Sequence, residues 1–146
     1  VGSVTEARVE RTAVDVWGAR AFMGRARELL SDGERSENTP ASRMILLHSA
    51  SMAACDAILS VNGRRIVGSD GGHVLRLEQA VALLAGDHRD LFARLEESRA
   101  SRHGVSYAAG FVPADDVESS CAAVQELVGI AATHVDAQLP DWAADE

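Results

Sequence analysis

A chain of 146 residues with 47% hydrophobic and 25% charged residues has the composition of one soluble globular domain, long enough to bury a real core. A net charge of −8 excludes a long-range electrostatic pull towards nucleic acid or an anionic membrane, so any RNA contact must rest on a local basic cluster. Aromatic content of 4% with abundant alanine argues against a β-sandwich and for closely packed helices.

Val1 to Arg11 shows no period and reads as a flexible tail preceding a single domain over residues 12–139. Thr12 to Leu30 then reads as a first helix, with Gly18, Phe22, Ala26 and Leu29 on one face and Gly18 as a point of close approach by a neighbour. Ser31 to Asn38 is a polar loop. Thr39-Pro40 pairs a capping hydroxyl with a proline suited to the first helical position. The second helix runs to Val61 along Met44, Leu47, Ser51, Ala54 and Ile58, with His48 and Cys55 at the stripe's edge.

Asn62-Gly63 ends that helix, and Gly63-Arg64-Arg65 opens a loop that closes at Gly68-Ser-Asp-Gly-Gly72. A third helix spans Gly72 to Ala85 on Val74, Leu77, Val81 and Leu84. Asp87 caps a fourth, lined by Leu91 and Leu95, which delivers the chain to Arg99 and His103 before a break from Gly104 to Val112. Pro113 with Asp115 and Asp116 marks the last start, since negative charge suits a first turn. Val117, Cys121, Val124, Val128, Ala131 and Val135 keep one helical line as far as Leu139, ahead of an acidic tail over residues 140–146. The fold expected is an all-α, up-and-down bundle of four to five helices with a long C-terminal helix.

The missing motifs narrow the chemistry. There is no Glu-x-x-His pair, no Cys-x-x-Cys and no His-x-x-x-His, so no metal is expected. There is no phosphate loop carrying Lys-Ser/Thr and no nucleophile elbow, so neither a cofactor nor acyl-transfer chemistry is expected. Cys55 and Cys121 read as buried small hydrophobes of a reducing compartment, and no apolar run approaching the roughly 20 residues of a membrane span stands out. The localisation expected is cytoplasmic. His48 reads as a satisfied core histidine, His73 and His88 as exposed, and His134 as a cation suited to a helix end. Trp17 and Trp142 read as core or contact residues.

The stretch Arg99-Ala-Ser-Arg102-His103-Gly-Val-Ser-Tyr107 gathers two arginines, a histidine and the chain's one tyrosine. Arg99, Arg102 and His103 stand at i, i+3 and i+4, hence on one helix face, continuing the line of Leu91 and Leu95. Guanidinium groups hold phosphate through paired hydrogen bonds, and an imidazole titrating near neutrality can move a ribose 2′-hydroxyl proton. The alternative is that Glu96, Glu97, Asp115 or Asp116 pairs with the arginines.

Leu95-Glu-Glu-Ser-Arg-Ala-Ser-Arg102-His103-Gly-Val-Ser-Tyr107-Ala-Ala-Gly-Phe-Val-Pro113 resembles the signature region of HEPN-type domains, helical bundles of prokaryotic toxin–antitoxin and defence systems. Gly72-His73 ahead of an amphipathic helix is similar to some members as well, and the resemblance spans about Met44 to Leu139. It implies a homodimer directed at RNA or nucleotides, a cognate antitoxin or partner protein, and metal-independent endoribonuclease chemistry. On this reading Arg102, His103 and Tyr107 are the catalytic candidates, and Arg99 and Arg102 bind the ligand. The family's arginine and histidine are separated by four to six residues. Counting from Arg102 finds Tyr107 where a histidine could fall, and counting from Arg99 reaches His103 after three. Neither register completes the motif, which keeps a second reading open: a non-catalytic dimeric bundle that binds a partner protein or a small ligand.

Overall fold

The computed structural model describes residues 6–68, 70–107 and 112–139, with the side chains of 99–107 excepted. The fold is all-α apart from one small sheet: β1 (Arg8–Arg11), α1 (Val16–Glu34), α2 (Pro40–Val61), β2 (Arg64–Val67), α3 (Gly72–Leu83), α4 (Arg89–Tyr107) and α5 (Ala114–Gln138).

Asp15 sets the start of α1, its carboxylate accepting the Gly18 N–H at 2.7 Å. A Cβ at Gly18 would collide with that same carboxylate, so this glycine serves the cap and not a neighbouring helix. The buried line of α1 is Ala19, Met23 and Ala26, one residue round from the expected stripe, and Phe22 and Leu29 are half-buried beside it. The helix also extends through Gly33, where the sequence reads as loop. Bare Gly33 lets Leu47 of α2 approach to where a Cβ would stand 2.9 Å from its methyl.

Thr39 caps α2 through the Ser42 N–H, with Pro40 at its first position, as its sequence leads one to expect. Burial on α2 extends well beyond one stripe, taking in Met44, Leu47, His48, Ala54, Cys55, Ile58 and Leu59, because this helix packs against α1, α3, α4 and α5 at the centre of the bundle. The expectation that no apolar run reaches spanning length is corrected here. Pro40–Val61 is long and apolar enough to cross a membrane by length and composition, and 67% of its most apolar window is buried inside the bundle.

The stretch through Arg11, expected as a tail, contains β1, and Arg64-Arg65, expected as loop, begins β2. The two pair antiparallel, Arg8 against Val67 and Arg11 against Arg64. Glu10 and Arg65 face each other across the ladder as an exposed ion pair. Gly68, at φ +88°, follows β2 so tightly that a Cβ would lie 2.5 Å from the Glu6 carbonyl oxygen.

The stripe of α5 is as its spacing predicts: Val117, Cys121, Val124, Val128, Ala131 and Val135 are all buried, and Asp115 and Asp116 occupy the first turn. At about 1.5 Å per residue, α5 is roughly 38 Å long. It packs against α1, α2 and α4.

Candidate functional site

Leu91 and Leu95 are 2% and 4% exposed, so the apolar line of α4 faces the core. The helical backbone does not break at Gly104 as expected but continues through Tyr107. Arg99 and Arg102 therefore follow Leu95 by four and seven residues on an unbroken helix, with His103 beside them on the same face. The side chains of Arg99, Arg102, His103 and Tyr107 lie outside the described residues, so the backbone brings their positions together and says nothing of their partners. Asp115 and Asp116 are exposed at the start of α5. Just before the arginines, Arg94 is engaged by Asp90 at 3.0 Å and by Glu126 of α5. Between them, Arg94, Glu97 and Ser98 of α4 and Asp116, Ser119 and Ser120 of α5 line a polar groove of about 180 Å³.

The described residues also bring together groups that sequence reasoning left apart. His48 of α2 is 6% exposed, and its Nε2 lies 2.7 Å from Nδ1 of His73 in the first turn of α3, the rings stacked with centroids 4.8 Å apart. His48 is thus a satisfied core histidine, and its partner is the histidine expected to be merely exposed. Asp56, two turns further along α2, accepts from the Arg76 guanidinium at 2.7 Å. Burial raises the Asp56 carboxyl above its ordinary range, against the pull of Arg76. Phe22, Arg25, Ser49, Met52 and Ala53, with His48, Asp56 and His73, line a pocket of about 230 Å³. Nothing in the periodicity of α2 or α3 announces the pairing, although His48 stands at the edge of an apolar stripe and His73 at a helix start.

A larger apolar cleft, about 590 Å³, lies between the α3–α4 turn and the second half of α5. Leu84, Ala85, His88, Gly129, Ile130, Thr133 and His134 are among its walls. His134 does not act as a cation on the helix dipole. Asn62 donates one amide hydrogen to the Ile58 carbonyl at 2.7 Å, which leaves its nitrogen facing His134 Nε2 at 2.9 Å, so Nε2 accepts and the ring is neutral. Desolvation lowers its pKa in the same sense. His88 bonds to the Ala85 carbonyl.

Cys55 is fully buried, its thiol pushed up to about 12 by burial first and Asp56 second. Both cysteines are free. Among the described residues no group of three or more His, Cys, Asp or Glu could hold a metal ion. Trp17 is 54% exposed with the Arg20 guanidinium 5.5 Å from its ring, and Trp142 lies outside the described residues.

Comparison with known proteins adds no relative: no family model matches the chain, nor does any curated protein or solved structure.

Proposed function

We propose that this chain is a HEPN-like bundle directed at RNA or nucleotides in a toxin–antitoxin or defence setting, working as a homodimer through the Arg99–Tyr107 end of α4. The observation that supports it most is the unbroken helix. It holds Arg99, Arg102 and His103 in one register on the line begun by the buried Leu91 and Leu95. Cations gathered in one helical register suit an anionic ligand, and phosphate is the anion that paired guanidinium groups answer best. On this reading Arg99 and Arg102 hold the phosphodiester and stabilise charge building on its oxygens. His103 takes the proton from the ribose 2′-hydroxyl as that oxygen attacks phosphorus, and Tyr107 donates towards a phosphate oxygen or orients a base. The P–O5′ bond breaks, the 5′-oxygen leaves as a hydroxyl with a proton taken from water, and the product carries a 2′,3′-cyclic phosphate. The test is cleavage of single-stranded RNA in EDTA by wild type, Arg102→Ala and His103→Ala. Cyclic-phosphate ends from wild type alone support the assignment, and equal activity in all three removes these residues from the chemistry.

The apolar cleft favours the second reading, a non-catalytic bundle that binds a small ligand. Its volume of about 590 Å³ falls in the range of small-molecule sites, and its surface is mostly apolar, with polar groups from His88, Glu126, Thr133 and His134 at its walls. A Thr133→Trp variant fills the cleft without touching α4. Loss of binding to an apolar fluorescent probe in that variant, with no RNA activity in wild type, would favour this reading over the first.

A further inference from the structure

The pocket shared by α1, α2 and the start of α3 has a local charge opposite to that of the molecule. In a chain of net charge −8, its lining contains one carboxylate, Asp56, and the Arg76 guanidinium answers that carboxylate at 2.7 Å. Arg25 of α1 is left as the pocket's uncompensated lining charge, beside His48, His73 and the Ser49 hydroxyl. His73 stands in the first turn of α3, whose N-cap, Gly71, supplies no side-chain cap to the helix's leading N–H groups. The positive end of that helix therefore adds to Arg25 and the imidazoles. The pair bridged at 2.7 Å needs one N–H between two nitrogens, and an added proton leaves the bridge intact and the pair cationic. Among the described residues, the charged groups of the lining are Arg25 and Asp56, Arg76 pairs with Asp56, and the three charges sum to one positive. Phe22 and Met52 supply an apolar wall.

We propose that this pocket binds a phosphate group, either free phosphate or the terminal phosphate of a nucleotide, held by Arg25 and His73. Buried His48 is a positioning residue: its bond and its stacking fix the His73 ring. The site is built from α1, α2 and α3, and it stands whether or not the α4 end acts on RNA.

The experiment is a titration of the full chain with inorganic phosphate, followed through the imidazole Cε1–H resonances by NMR. It is repeated with 5′-AMP and with adenosine. Saturable shifts of His48 and His73 are expected. Arg25→Ala and His73→Gln should each raise Kd about tenfold or more, the worth of a charge-assisted hydrogen bond. Arg27→Ala, two residues away and outside the pocket, should leave Kd unchanged. Tighter binding of 5′-AMP than of phosphate, with adenosine silent, assigns a nucleotide, and equal binding assigns free phosphate. No saturable shift overturns the proposal, as does a loss in Arg27→Ala equal to that in Arg25→Ala, which would mean a general response of the arginines. His73 is exposed, so its variant should fold, and circular dichroism with a thermal midpoint checks this.

Discussion

His134 carries a pH dependence whose sign follows from one hydrogen bond. Its Nε2 accepts from Asn62, and desolvation lowers its pKa below the ordinary 6.5. The unfolded chain thus takes up a proton more readily than the folded one. The stability due to the neutral ring is complete above about pH 6.5 and falls as the pH drops below it. An NMR titration of the His134 Cε1–H should give a midpoint below 6.5, and a midpoint at or above 6.5 would contradict the assignment. Asp56 runs the other way: its raised carboxyl pKa means that ionisation above about pH 3.8 costs the folded state, and Arg76 offsets that cost. Arg76→Ala should therefore destabilise by about 1–2 kcal/mol at neutral pH, and by less near pH 3.5, as urea denaturation at the two pH values would show. Cys55, buried with a thiol at about 12, should resist thiol reagents until the chain unfolds.

Among the elements, the helices were largely legible because their stripes repeat several times. The line of α5 from Val117 to Val135 and the Thr39-Pro40 start of α2 emerge where the spacing and the cap chemistry place them. The two strands were not legible. At four residues each, Arg-Val-Glu-Arg and Arg-Arg-Ile-Val hold too few alternations to register, and pairing between residues about 55 apart leaves no local trace. Gly104 misled in the opposite direction, since a glycine costs a helix only about 1 kcal/mol and α4 continues past it. Two other glycines differ in what a methyl group would meet. Gly24 is exposed in mid-α1 with open space around its Cβ position, so Gly24→Ala should raise stability by about 0.5–1 kcal/mol. Gly68, at positive φ and against the Glu6 carbonyl, should lose about 1–3 kcal/mol as alanine. Thermal denaturation of the two variants would show opposite shifts.

In the molecule as a whole, a bundle around α2 holds three candidate sites: the proposed one at the Arg99–Tyr107 end of α4, the histidine pocket and the apolar cleft. The first was visible in the sequence because its residues are adjacent along the chain. The second was not, because His48 and His73 meet only when α3 folds back against α2. The third joins residues of the α3–α4 turn to residues of α5, among them His88 and His134, which lie far apart along the chain. A molecule of net charge −8 that binds RNA must do so through a few local cations, so its affinity should fall with salt with the shallow slope of a few phosphate contacts. The most direct test of the account is the affinity of a labelled single-stranded RNA for wild type and for Arg102→Ala, in EDTA at one low salt concentration. Saturable binding by wild type is expected, weakened about tenfold or more in the variant. Equal affinity in the two proteins, or no binding by wild type, would contradict it.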